Sequence, residues 1–428
     1  MDTIISRANE LTGQLSTWRR FLHRHAEVGW TEYVTTAYLM RELTALGYEI
    51  HTGRKILGTR LGLPTEESLR QADARATAFG VDSKLHEQMA GGYTGLCAVL
   101  RTGRAGKTVC LRFDIDANDL TESTAPDHRP TREGFASQYS GAMHACGHDG
   151  HMAIGLGVAT LLAERVDTLS GTIMLLFQPA EEGVRGGHAI ASSGWCDKID
   201  ELYGLHIGFA LRQTGRVATS VTDFLATTKI DATFTGKTAH AGASPDGGQN
   251  ALLAAATATL ELHAMPRRAG GMSRINVGTL SAGEGRNTIP AHARMTLEVR
   301  GSTSNVCDAM ARDAERILSA SAMMHDVRVE TTIVGHAASF TADSDLALRT
   351  EQIAHRLGVF TDVLPSVSFG ASEDFSCLAE AVQASGGKAN YLLLGSQLAD
   401  GHHCDRFDFD EDALPYGVAL LTVLVTQP

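Results

Sequence analysis

The chain has 428 residues, 43% hydrophobic and 20% charged, a globular composition that excludes disorder, collagen and coiled coil as its main state. Its net charge of −12 excludes nucleic acid and anionic membrane as electrostatic partners, so any anionic substrate needs local cations. Seven cysteines, an odd number without CxxC spacing, point to a reducing cytoplasm. The start, MDTIISRANE, lacks the basic and apolar regions of a secretory signal, and no apolar run reaches the ~18 residues of a membrane span.

Residues 3–24 read as one polar helix ending in the basic cluster Arg19, Arg20, His23 and Arg24. Residues 31–46 form a second helix, with Val34, Tyr38, Leu43 and Leu46 near helical spacing and Gly47 as its stop. Residues 55–90 are polar and Ala-rich, a helical surface insertion. Strands follow over 94–101 and 108–115, the second nearly all apolar, as burial on both faces demands. Residues 118–140 form a polar loop, 149–165 a buried helix, 171–178 a buried strand stopped by Pro179, and 202–205 a short strand.

From about 222 the pattern changes. Residues 226–235 alternate as a strand, 249–264 form an Ala/Leu helix, and 274–281 and 294–300 are strands. A helix over 302–324, with Val306, Met310 and Ile317 on one face, and a strand over 327–334 complete the order β-α-β-β-α-β, a ferredoxin-like unit. The α/β pattern then resumes: helix 344–357, strand 363–368, helix 374–383, strand 391–395 and a last helix from about 411. The expected fold is α/β, a doubly wound catalytic domain over 1–221 and 337–428. A lid or dimerisation domain of ferredoxin type over 222–336 interrupts it.

The densest chemistry is His144-Ala-Cys146-Gly-His148-Asp149-Gly-His151, at a loop-to-helix boundary. Thiolate and imidazole are ligands for zinc and its neighbours, and a helix N-terminus favours the thiolate. The bland alternative is a buried cysteine with two solvated histidines. Gln178-Pro-Ala-Glu181-Glu182-Gly183 follows a buried strand. One carboxylate could bind metal there while the other moves a proton, although such a pair alone is more often a solvated turn. Phe113-Asp114-Ile115-Asp116 ends another strand, and Asp116 would either orient a ligand histidine or be a loop acid. His206 ends a short apolar strand, and His402-His403 follows the strand 391–395. Each is weak alone, but all follow strands of one expected sheet, whose ends gather on one edge.

In order along the chain, Arg19-Arg20…His23…Glu27, the strand ending in Asp114 and Asp116, HACGHDGH, QPAEEG, LHIG, GKTAHAG, GEGRNTIP, GASEDFS and GHHCDRFDFDE resemble the metal-dependent amidohydrolases of the M20 peptidase family. The likeness falls in the branch of hippurate and auxin-conjugate hydrolases. The 55–90 insertion with LGLP, the segment HRPTREGFAS and the FDFDE ending resemble the subgroup acting on p-aminobenzoyl-glutamate. The resemblance implies two divalent ions, manganese or zinc, on Cys146, His148, Glu182, His206 and His403. It implies Glu181 as general base and Asp116 as the acid behind the ligands. His240, on a loop of the lid, would stabilise the oxyanion, often in the partner's site. Asn287, Arg300 and Arg286 would hold the substrate's polar end, with Asn287 and Arg300 read as a pair. The implied reaction cleaves p-aminobenzoyl-glutamate to p-aminobenzoate and glutamate. The alternatives are a broader N-acyl amino-acid amidohydrolase or a catalytically silent paralogous chain. The implied assembly is a homodimer through the lid or a heteromer with a paralogous B subunit. Ala26 stands where the family commonly has Pro, and Asn118 and Leu120 depart from its usual continuation after the strand acids.

Overall fold

Four strands with almost no polar interruption organise the chain, because only strands covered on both faces can be apolar at every position. A computed structural model describes residues 1–427. In it Thr172–Gln178, Thr108–Asp114, Glu201–Ile207 and Lys388–Leu394 lie side by side and parallel. Leu96–Arg101 and then Glu49–Thr52 extend one flank in antiparallel sense. Arg216–Ala218, antiparallel to 388–394, and Asp362–Leu364, parallel to 216–218, extend the other. The result is an eight-stranded mixed sheet.

Parallel neighbours need crossovers, and the crossover helices cover the faces. His148–Ala163 covers one face with Thr12–Arg24 and Leu414–Thr426. It lies close because Gly155 carries no side chain: a Cβ there would come within 2.8–2.9 Å of Phe177 and Phe113. Phe375–Ala384 packs on the opposite face, where a Cβ on Gly204 would fall 2.6 Å from Tyr391 and 2.8 Å from Phe375.

The described chain divides into two units, one of residues 1–222, 341–370 and 374–428, the other of 223–340 and 371–373. The second unit is itself a β-α-β-β-α-β sequence. Its antiparallel sheet runs Arg328–Ala337, Ala226–Thr235, His292–Gly301, Ser273–Ala282. Ile230, Ala232 and Phe234 pack against a stripe of Ala251, Ala254, Ala255 and Ala258 on the helix Ala251–His263, and against Met310, Ala314 and Leu318 on Ser304–Met324. Asn250 and Thr303 cap these helices by accepting from Leu253 and Val306, satisfying N–H groups that have no partner within the helix.

Several local expectations differ from what forms. The helix expected over 3–24 is two, Asp2–Glu10 and Thr12–Arg24, with the Thr12 hydroxyl donating to Asn9 O at the break, a local bond that competes with the helix ladder. The insertion forms two helices, Glu66–Phe79 and Ser83–Met89. The strand Glu49–Thr52 just before it, and Arg216–Ala218, are too short to leave a period in the sequence. The strand expected over 363–368 breaks at Pro365 into Asp362–Leu364 and Val367–Ser368. The 118–140 loop contains one helical turn, Arg129–Arg132.

Candidate metal centre

The parallel strands of the first unit end on one edge, the position where open α/β sheets place ligands. Asp114 ends one strand and Asp116 follows it; Glu181 and Glu182 follow the next; His206 lies near the end of a third. His403 belongs to the loop after Lys388–Leu394. Cys146 and His148 stand at the N-terminus of His148–Ala163, where Gly147 makes the turn at φ +90°.

These side chains converge. Donor atoms of Cys146, His148 and His206 lie within 4.8 Å of one another, as do those of Cys146, Glu182 and His403. The two triads share Cys146. A third set, His148, Glu181 and Glu182, places Glu181 beside both triads. The Cys146 Sγ is 3.4 Å from His206 Nε2, and His403 Nε2 is 3.2 Å from Glu182 Oε1.

Backbone carbonyls set the imidazole tautomers. His206 Nδ1–H donates to Ile207 O at 2.8 Å, and His148 Nδ1–H donates to Asp116 O at 2.8 Å. A carbonyl can only accept, so each bond turns Nε2 into the centre. His148 Nε2 is buried without a hydrogen-bond partner, a condition a cation would relieve. One thiol, three imidazoles and one carboxylate therefore fit a divalent pair, and this borderline donor set suits zinc or manganese. His151, although near Asp114 and His148, is committed elsewhere: Nδ1–H donates to Asp114 Oδ1 at 2.5 Å and Nε2 accepts from Ile207 N at 3.0 Å. His402 Nε2–H donates to Ile207 O at 3.1 Å, so of the neighbouring pair it is His403 that faces Glu182.

The acidic turn is gripped from behind. Asp116 accepts from Glu181 N at 2.9 Å and from Glu182 N at 2.8 Å. Glu32 accepts from Ala180 N at 2.8 Å and also from the Thr94 hydroxyl. Asn118 Nδ2 donates to Glu182 Oε1 at 2.6 Å. The Asp116 carboxylate thus holds the turn, while its main-chain carbonyl orients His148. Ala180, Val184, Phe209 and His403 have φ of +52°, +59°, +52° and +62°. Left-handed backbone at a residue with a side chain costs about 1–3 kcal/mol and persists where the surroundings enforce it. Here it is concentrated in the loops that carry the candidate ligands.

Burial opposes charge throughout the site, and partners decide the outcome. Burial disfavours the His148 imidazolium, yet Asp114 and Asp116 hold its pKa up at about 10. The same negative surroundings attract a metal ion in place of that proton. Burial, with His151 and His402 nearby, pushes His206 well below its ordinary value, so it is neutral. Burial resists ionisation of Glu182 as well, but His403 and His148 bring it down to about 2. Asp114 stays well below the usual carboxylate range despite burial, through His148, His151 and Arg112.

The Arg19…Glu27 motif serves structure. Buried Arg19 donates to Asp149 at 2.6 Å and Asp408 at 2.8 Å, and His23 bridges Asp149 and Glu122 at 2.8 and 3.0 Å. Glu27 accepts from Val34 N and Thr35 N. Arg19 and His23 thereby anchor the start of the chain, through Asp149, to the helix that carries His148, while Glu27 holds the start of the next helix.

In the second unit, backbone pairing joins the loops of His240 and Asn287: Ala241 N donates to Asn287 O at 3.0 Å, and Ile289 N to Ala239 O at 2.9 Å. His240 is exposed, and its Nδ1 accepts from Gly242 N and Ala243 N at 3.1 and 3.0 Å. That fixes Nε2–H as its donor. Arg286 and Asn287 are also exposed. Arg300 does not join them. It pairs with Glu298 at 2.9 Å, eight residues along its strand from His292, or roughly 27 Å at 3.3–3.4 Å per residue. The pairing of Arg300 with Asn287 read from the sequence is therefore absent within one chain.

Comparison with known proteins places the chain in a family. The model of peptidase family M20/M25/M40 matches residues 110–427. The chain belongs to the M20 peptidase family. This M20 chain is 43% identical over 424 residues to the A subunit of p-aminobenzoyl-glutamate hydrolase from Escherichia coli, covering 98% of this chain and 97% of the relative. It is 41% identical over 417 residues to indole-3-acetyl-aspartic acid hydrolase of Enterobacter agglomerans, covering 97% and 95%. A crystal structure of an aminobenzoyl-glutamate utilization protein from Klebsiella pneumoniae superposes with a TM-score of 0.85 at 33% identity, over 99% of this chain and 98% of that one. A Bacillus subtilis M20 peptidase described as dinuclear and metal-binding shares the fold, with a TM-score of 0.68 at 23% identity over 98% of each chain. The M20 chain is thus a metallo-amidohydrolase by family. Among its described residues no helix is long and apolar enough to cross a membrane.

Glu32 had no assigned role in the sequence, and Asn118 stood out only as a departure from the family's pattern. Glu32 sits at the start of a helix without metal-ligand spacing, and neither residue leaves a local signal of its role.

Proposed function

We propose that this chain hydrolyses p-aminobenzoyl-glutamate to p-aminobenzoate and glutamate with two divalent ions held by Cys146, His148, Glu182, His206 and His403. The observation that carries the reading is the pair of donor triads sharing Cys146, with Glu181 adjoining both. Bound cations would polarise the scissile carbonyl and acidify the attacking water. Glu181 takes the proton from that water and passes it to the departing amide nitrogen, and the Asp116 clamp keeps its main chain fixed while it does so. His240 Nε2–H is the donor for the developing oxyanion. Arg300, Arg286 and Asn287 serve the anionic glutamate, which the overall charge of −12 would otherwise repel. Retention of the base and all five donors argues for a working enzyme over a silent paralogue.

The substrate follows from the full-length likeness to the Escherichia coli hydrolase. The Enterobacter relative, named for indole-3-acetyl-aspartate, supports a second reading with a broader range: aromatic acyl groups on acidic amino acids. The separation of Arg300 from His240 favours a dimer in which each chain completes its partner's site. The outer edge of Ser273–Ala282 is where a second copy, or a paralogous B subunit, would add its own strand. Seven cysteines outside any disulfide suit the cytoplasm. The test is a hydrolysis panel on zinc- and manganese-loaded protein with p-aminobenzoyl-glutamate, indole-3-acetyl-aspartate and hippurate, with native mass measured alongside. Preference for p-aminobenzoyl-glutamate is expected; preference for hippurate would overturn the assignment.

A further inference from the structure

Three residues beyond the candidate ligand His206, the chain makes a turn that neither metal binding nor proton transfer explains. Gly208 has φ +84° and Phe209 has φ +52°. A Cβ on Gly208 would lie 2.9 Å from His402 Cε1, so glycine is needed for the close approach. Phe209, which carries a side chain, is also held in left-handed backbone, a strain that persists only where the surroundings enforce it. The effect is to bring its ring back onto the site. Its centroid is 4.5 Å from the His206 imidazole, at 76°. It stacks on His402 at 4.3 Å and 17°, and meets Phe369 at 4.6 Å and 45°. His402 is pinned by its bond to Ile207 O, and Phe369 is buried, 6.3 Å from His206. Phe209 and His402 are only half-buried. The three rings make an aromatic shelf that begins at a candidate metal ligand and keeps part of its surface open.

We propose that this shelf seats the aryl group on the acyl side of the scissile amide, making Phe209, with Phe369 and His402 behind it, the determinant of preference for aromatic acyl groups. The inference rests on the amidohydrolase reading above and adds the acyl specificity. In a benzoyl amide the ring is bonded directly to the carbonyl carbon. Once that carbonyl is at the metal centre, the ring lies within reach of side chains that touch a metal ligand, and Phe209 is one of them, 4.5 Å from His206. An aryl group gains offset or edge contacts there that a small aliphatic acyl group cannot make.

The competing explanation is that the rings only buttress His206. Matched substrate pairs separate the two: p-aminobenzoyl-glutamate against acetyl-glutamate, and hippurate against acetyl-glycine, on metal-loaded protein with metal content measured. For Phe209→Leu we expect unchanged metal content and an aryl-to-acetyl ratio of kcat/KM lower by about 3- to 10-fold, the effect of losing one aromatic contact. The inhibition constant for p-aminobenzoate should rise in proportion. Phe209→Tyr, which keeps the ring, should hold the ratio within about twofold of the wild type. Equal loss on both members of a pair, or an unchanged ratio in Phe209→Leu, would overturn the shelf. Turnover of hippurate but not of p-aminobenzoyl-glutamate, with the ratio still falling in Phe209→Leu, would uphold the shelf while overturning the substrate assignment.

Discussion

Glu32 and Asp116 hold one turn between them, accepting three consecutive backbone N–H groups: Ala180 to Glu32 at 2.8 Å, and Glu181 and Glu182 to Asp116 at 2.9 and 2.8 Å. Two acids from distant parts of the sequence thereby fix the main chain of the proposed base and of a proposed ligand. The turn needs that grip, since Ala180 and Val184 both have positive φ.

Asp116→Asn removes half of the grip. A carboxamide oxygen can accept one of the two N–H groups, but its amino group faces the other, leaving a buried donor unpaired. Metal affinity or kcat/KM should fall by about 10- to 100-fold, the usual consequence of losing an outer-sphere partner. Isothermal titration of the metal-free protein and steady-state kinetics measure both. Wild-type values for the two would reject the clamp.

Glu32→Gln probes the same turn through pH. Burial and the neighbouring Asp116 push Glu32 up to about 8 from an ordinary value of 4.5. Its folded-state pKa is raised, so its stabilising contribution is complete below about 4.5 and is lost as pH rises through about 8. Gln keeps the bond from Ala180 N on its carboxamide oxygen, can donate from its amino group to the Thr94 hydroxyl, which is able to accept, and cannot ionise. Thermal melts from pH 5 to 9 should show wild-type stability falling relative to Glu32→Gln as pH rises. Parallel curves would contradict this.

Cys146→Ala should disturb both cation positions, because both triads include its sulfur. Elemental analysis should find fewer than two ions per chain, where other single-ligand substitutions reach only one triad except at His148 or Glu182, which also serve the third set. Two retained ions would remove Cys146 from the ligand set.

Much of this centre was legible in the sequence because its donors are local in the chain. HACGHDGH concentrates thiol and imidazole within eight residues, and the paired glutamates follow a strand whose unbroken apolar run identifies it as central. His206 and His403 were weak alone and gained weight from their places after strands of the same sheet. Glu32, Asn118 and Phe209 were not legible, because their roles arise from tertiary convergence: a helix start reaching a turn 148 residues away, or a ring folded back by strained backbone. The strands Glu49–Thr52 and Arg216–Ala218 were hidden for a simpler reason. At four and three residues they are shorter than the alternation that marks a strand.

Glu181→Gln should bind metal as the wild type does and lose activity by about 10²- to 10⁴-fold, the usual contribution of a positioned proton-transfer group. The loss should fall on kcat more than KM, since the amide cannot shuttle the proton. Ordinary turnover would assign the base to another residue.

His240 and Arg300 allow a test of assembly. They sit toward opposite ends of the second unit, separated by more than one substrate of this size can bridge, so one chain should supply Arg300 and its partner His240. His240→Ala and Arg300→Met should each be severely impaired in kcat/KM while keeping metal. In a symmetric dimer, mixing them and allowing exchange forms hybrids in half of the population. One of the two sites in each hybrid then has both wild-type residues, which restores about a quarter of wild-type activity. Recovery near that level supports completion of each site by the partner. A mixture no more active than its components would reject that division of the two residues between chains.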